Sequence, residues 1–267
     1  MQVQTMRQLE QEHGFHIPLT SANSSPTTKN GKLTFSAYSP ADATGTATFD
    51  VVKGLKIANF NVDSDLTKQY DLLYSNRTYN KTNSTSGSNN TYDGVDLTFN
   101  HALSSIHVKV VTDKEYPAGT VNERSMYLEN VWCTGTFVED LATGTETVSY
   151  STARWEGQSD ERLLEVGKTE QSVTATATKY GNTALLIPQK FDHSGVHKVT
   201  LTVNYTITNG DGTNLDQVAK FALDSQGVKE WIKGYRYTYN LTFALDQIYF
   251  APTVEEWKDA SLSFPAI

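Results

Sequence analysis

Tyr235-Arg-Tyr-Thr-Tyr-Asn-Leu-Thr-Phe243, inside the longer stretch from Trp231 to Trp257 (WIKGYRYTYNLTFALDQIYFAPTVEEW), decides the fold. Tyr235, Tyr237, Tyr239, Leu241 and Phe243 occupy alternate positions, with Arg236, Thr238, Asn240 and Thr242 between them. A period of two with one apolar side is the pattern of a half-buried strand, because successive side chains of a strand point to opposite faces. Gly234 breaks the chain before it. Ile248-Tyr-Phe-Ala251 then supplies a second apolar run, which Pro252 ends because proline has no N–H to give to a ladder. The stretch reads as a core hairpin near the end of a β-sandwich.

The same period recurs upstream. In Val196–Thr208, Val199, Leu201, Val203, Tyr205 and Ile207 take one face, and Thr200, Thr202, Asn204, Thr206 and Thr208 take the other. Asn209-Gly-Asp-Gly212 follows, a hairpin signal because these residues tolerate positive φ, and Val218–Leu223 returns. Val95, Leu97 and Phe99 alternate, as do Ile106, Val108 and Val110, with a turn at Asn100–Ser105. Further strands are predicted over Lys32–Tyr38, Ala47–Val52, Leu55–Phe60, Met126–Val131, Thr134–Val138, Ser149–Trp155, Ser172–Lys179 and Thr183–Ile187. Glu156–Lys168 reads as a charged connection. Short strands with turn signals and no sustained helical period predict an all-β protein of antiparallel sandwiches. Asp113–Glu123 is charged and turn-prone, and predicts a division into an N-terminal domain (1–113, lacking its most N-terminal segment) and a C-terminal domain (114–267).

The 267 residues suffice for a substantial core, and 14 tyrosines, 11 phenylalanines and 4 tryptophans argue against a disordered chain. The net charge of −8, without a lysine or arginine run, gives no footprint for nucleic acid or for a polybasic membrane contact. No run of about 20 apolar residues is present to form a spanning helix. Met1–Gly14 contain neither an apolar signal core nor a lipobox cysteine, so either the chain is not exported or its targeting segment lies outside it. Cys133, the lone cysteine, sits in an apolar strand-like setting and reads as a buried structural thiol. His101 reads as a structural corner residue, and His107 as solvent-facing.

Catalytic patterns are missing. There is no Gly-rich phosphate loop, no HExxH and no GxSxG. The Asn209–Asp216 segment lacks the position-6 glycine and position-12 glutamate of a calcium loop. No catalytic, metal or cofactor residue is nominated, and the expectation is a protein that is not an enzyme. Ser75–Gly94 (SNRTYNKTNSTSGSNNTYDG) is too polar to bury itself and reads as an exposed loop. Its Tyr79 and Tyr92 are candidate platforms for binding a glycan.

Several segments match a known family together and in order. Leu33-Thr-Phe-Ser-Ala-Tyr-Ser-Pro40, Asp71-Leu-Leu-Tyr74, Val95–Val110 with its Phe99-Asn-His-Ala-Leu103, Leu186-Ile-Pro-Gln189 and the Trp231–Trp257 stretch resemble the fimbrillin-like proteins of Bacteroidetes. The resemblance implies two tandem transthyretin-like sandwiches and export as a lipoprotein to the outer membrane. It also implies a pilin, anchor or tip adhesin whose partners are other fimbrial subunits, with a host glycan or protein as a further partner. Assembly in that family proceeds by strand exchange, and Leu262, Phe264 and Ile267 are the candidate exchange segment here. A glycan-binding surface lipoprotein of the same fold that does not polymerise is the alternative.

Overall fold

The alternating aromatic stretch forms a nine-residue strand, Tyr235–Phe243, paired antiparallel with Ile248–Glu256 from Tyr235 opposite Glu256 to Phe243 opposite Ile248. Tyr237, Tyr239, Leu241 and Phe243 are at most 1% exposed, while the residues between them stay half-buried. Burying side chains of this size contributes roughly 1.5–3 kcal/mol each, which is why the aromatic side turns inward.

The structure, a computed structural model, describes residues 19–20, 34–35, 37–50, 53–75, 78–79, 98–113, 120–139, 153–168, 170–192, 198–244 and 247–257. In chain order its strands are β1 (Leu19–Thr20), β2 (Thr34–Phe35), β3 (Tyr38–Ser39), β4 (Thr46–Asp50), β5 (Gly54–Asn61), β6 (Leu73–Ser75), β7 (Thr78–Tyr79), β8 (Phe99–His101), β9 (Ser104–Thr112), β10 (Thr120–Glu139), β11 (Ala153–Gly167), β12 (Gln171–Val173), β13 (Thr178–Leu186), β14 (Thr200–Thr208), β15 (Asn214–Ala222), β16 (Tyr235–Phe243) and β17 (Ile248–Glu256). Two 3₁₀ turns, Leu66–Lys68 and Leu223–Gln226, are the described helical elements. The all-β expectation holds.

Four sheets result: β1-β2-β7; β3-β6-β8; β13-β9-β16-β17; and a large sheet in the order β15-β14-β10-β5-β4, with β11 and β12 also on β10. One cluster of buried side chains runs through the molecule, and its ring contacts fall in two zones. In one, Tyr205 of β14 meets Phe243 of β16 edge-on at 5.3 Å, and Phe221 of β15 stacks on Phe250 of β17 at 5.1 Å. In the other, Trp155 of β11 lies 5.4 Å from Phe60 and 5.5 Å from Phe137, and Tyr74 of β6 lies 4.8 Å from Phe137.

Strand β10 links the zones. Residues 120–129 pair with β14, and residues 134–138 pair with β5 on the same edge. Its opposite edge carries β12 at 121–123 and β11 from Met126 to Glu139. Between the two halves Asn130 has φ +61°, and its side-chain amide donates to the Lys198 carbonyl at 2.8 Å. Asparagine is among the few non-glycine residues that adopt this conformation readily. The strand therefore bends there without ending.

Several expectations are corrected. Met126–Val131 and Thr134–Val138 are one strand: pairing to β11 is regular from Val131 to Thr134, and the register shifts fall within the two predicted strands, at Met126/Tyr127, Leu128/Val131 and Thr134/Thr136. Glu156–Lys168 is strand rather than connection, since β10 satisfies its backbone although most of its side chains are exposed. Ser172–Lys179 is interrupted, with a bend separating β12 from β13. One pair is parallel: β9 runs beside β16, with Arg236 opposite Ser105 and Phe243 opposite Thr112. Both larger sheets draw strands from either side of residue 113, so the pairing does not follow a division there. Of the charged Asp113–Glu123 segment, Thr120–Glu123 already belong to β10, which lies in a different sheet from β9.

Candidate functional site

The segments singled out in the sequence meet at one corner. Asp71, just before β6, and His101, at the end of β8, join through Oδ2 and Nδ1 at 2.5 Å. The His101 ring lies flat on Trp257 with centroids 3.7 Å apart. The Trp257 N–H donates to the Gly234 carbonyl, and the Gly234 N–H to Leu103. Lys233 donates to the Tyr74 hydroxyl at 3.0 Å, and burial holds its ammonium below the ordinary lysine range.

Below the corner, the Trp155 indole N–H donates to the Ala102 carbonyl at 2.7 Å. The Trp231 indole donates to the Tyr239 hydroxyl at 2.9 Å. Burial raises both the Tyr237 and Tyr239 hydroxyls, Tyr237 to about 12, so they act as fixed hydrogen-bonding groups. Gln189 donates to the Trp132 and Ile187 carbonyls and accepts from the Trp132 N–H. Each buried polar atom that closes a bond here avoids a cost of about 1–3 kcal/mol. The corner is a structural knot.

The Asp71–His101 pair is shaped like part of a triad, but the nearby serine hydroxyls are committed elsewhere. Ser104 donates to the Ile232 carbonyl and Ser105 contacts His107. Cys133 is buried as expected, and burial pushes its thiol up to about 12, which removes the thiolate that reactivity needs. Among the described residues no group of three or more histidine, cysteine, aspartate or glutamate side chains could hold a metal. No described helix is long and apolar enough to cross a membrane.

The exposed features lie on one flank instead. Among the described residues β15 and β17 are the outer strands of their sheets, and the Phe221–Phe250 stack brings them together. Among the described residues six large apolar side chains are exposed, and four belong to these strands: Leu215, Val218, Tyr249 and Val254. Pro252 lies within β17, a position that an outer strand tolerates. Sequence reasoning missed this flank. The apolar run Ile248–Ala251 was legible, although β17 continues through Pro252 to Glu256, and nothing local says that a strand is the last in its sheet.

Of the residues nominated from sequence, Leu262, Phe264, Ile267 and Tyr92 lie outside the described residues. Tyr79 falls in β7, where its backbone pairs with Thr34 and its side chain is not described.

A family model described as fimbrillin-like matches residues 26–257. The fold is similar to that of a fimbrial protein from Bacteroides vulgatus, with TM-score 0.55 and 16% identity over 95% of this chain and 96% of that one. It is also similar to a candidate cell adhesion protein from Bacteroides uniformis, with TM-score 0.53 and 15% identity over 91% of both chains. At these identities the structural likeness shows the fold. No curated protein matches the chain.

Proposed function

The chain belongs to the fimbrillin-like family, and from that premise we propose that it is a non-enzymatic cell-surface fimbrial subunit joined to its neighbours by strand addition along the β15–β17 flank. The observation that carries this reading is the flank itself: two outer strands, each nine residues long, with four exposed apolar side chains between them. An outer strand offers a row of backbone donors and acceptors, normally an aggregation hazard. In strand addition the same row supplies affinity, and alternate side chains supply specificity. Leu215 and Val254, on the strand faces that carry Phe221 and Phe250, give an incoming strand apolar surface to cover. On this reading the family's tandem transthyretin-like sandwiches are the two packing zones joined through β10. Export as a lipoprotein precursor belongs to the same reading, and radiolabelled palmitate incorporated in the native host tests it.

Assembly is tested by negative-stain electron microscopy and native mass spectrometry of protein purified from the native host. Polymers are expected from the wild type. Leu215→Lys combined with Val254→Lys is expected to leave folded subunits that fail to polymerise. A wild type that stays monomeric under every processing condition overturns the subunit reading. A double variant that polymerises normally overturns the flank.

A further inference from the structure

The solvent side of the β13-β9-β16-β17 sheet carries cations brought together by register. Lys109 of β9 stands directly opposite Lys179 of β13, and both are exposed. Directly opposite residues have Cβ atoms about 5 Å apart, and like charges there are destabilising. Two residues earlier on β9, His107 sits opposite Thr238 of β16, whose neighbour on the same side is Arg236. Lys179, Arg236 and Lys109 all bear on the His107 ring, with Glu255 as the opposing charge. Glu255 reaches Arg236 at 3.4 Å. Three cations and one carboxylate leave this patch positive on a chain whose net charge is −8.

Between the charges lie hydroxyls and an imidazole. Lys179 donates to Thr183 Oγ1 at 2.7 Å, and His107 Nε2 lies 3.1 Å from Ser105 Oγ and 3.4 Å from Thr183 Oγ1. Burial is the first cause that pushes the imidazole down to about 4, so near neutral pH it is an uncharged hydrogen-bonding group. The cations are interleaved with the hydroxyls of Thr183 and Thr238, and Tyr249 of β17 is exposed on the same outward side of the sheet, where a sugar ring can lie against it. An anionic sugar matches both features, its hydroxyls meeting the threonines and its acid group the lysines.

We infer that this sheet face is a binding site for an oligosaccharide bearing sulfate or carboxylate groups, with Lys109 and Lys179 as the anion contacts. The site lies on the sheet surface away from the sandwich core, and it does not rest on the assembly reading. An anion between the two lysines would also relieve their mutual repulsion.

The test is isothermal titration of the full chain at low salt with a heparin-derived hexasaccharide, a neutral hexasaccharide of N-acetylglucosamine, and polyglutamate of matched charge. The sulfated sugar is expected to bind at least tenfold more tightly than either control. Lys109→Gln with Lys179→Gln is expected to weaken that binding at least tenfold and to melt no lower than the wild type, while Lys168→Gln leaves binding unchanged. An adjacent carboxylated arm, a polyuronate fragment, separates the two acid groups. Absence of binding to both anionic sugars, an equal loss with Lys168→Gln, or equal binding to polyglutamate each overturns the proposal.

Discussion

His107 shows how far burial can act on one side chain in a face that reads as solvent-exposed. Its alternation placed it correctly on the outer side of β9, but the hydroxyls of Ser105 and Thr183 and the surrounding strands leave it half-buried. With the imidazole held at about 4 against an ordinary 6.5, the unfolded chain takes up a proton first as pH falls. Stability is therefore full above pH 6.5 and is lost as pH drops towards 4. Discounted for partial exposure, the loss from this group is about 1–2 kcal/mol. Urea unfolding at pH 7.5 and 4.5 should show His107→Gln losing that much less than the wild type. Two glycines separate backbone freedom from space. Gly212, at φ +83° in the β14–β15 turn, has nothing within 4 Å of an added Cβ, whereas at Gly181, φ +63°, that Cβ would lie 2.2 Å from the Val166 carbonyl oxygen. Gly212→Ala is expected to cost about 1 kcal/mol, and Gly181→Ala about 3 kcal/mol or more, by the same unfolding measurement.

At the scale of elements, β10 is where local reading was least adequate. Its two halves alternate cleanly, with Met126, Leu128, Val131, Cys133 and Phe137 all buried, yet the phase slips at Asn130. The slip falls inside the predicted Met126–Val131 strand and not at the predicted break; in the folded chain it is a bulge whose Asn130 amide donates to the Lys198 carbonyl. Asn130→Ala keeps the positive φ and loses that bond, for an expected cost of about 1–3 kcal/mol. Asn130→Gly loses the bond but relieves the strain, and should cost less than half as much in chemical denaturation. Strand β11 escaped notice for a different reason. Glu156–Arg162 has no apolar alternation because most of its side chains meet water, and Gly157 and Asp160 adopt positive φ at 59° and 63°. Ladder bonds to β10 hold it there.

At the scale of the whole molecule, the two packing zones share one strand. That strand couples them within one cluster of buried side chains, since losing β10 from one zone removes its partner from the other. Differential scanning calorimetry should therefore show one transition, with calorimetric and van't Hoff enthalpies in agreement. Two transitions separated by more than about 10 °C, of the kind independent domains give, would contradict the coupling. The same sharing places the open flank in one zone and the Asp71–His101–Trp257 corner between β6, β8 and β17.

By itself the sequence determined the strand character of most segments, the inward face of β16 and the β14–β15 hairpin. These are local properties: a pleat with period two and a turn that needs positive φ. Only the tertiary structure decided that β9 lies parallel to β16, that β15 and β17 end their sheets on one flank, and that Lys109 faces Lys179. The reason is that alternation tells a strand which side to bury but not which strand to bury it beside. Partner and register are set by packing between segments more than a hundred residues apart in places, and no single segment carries that information.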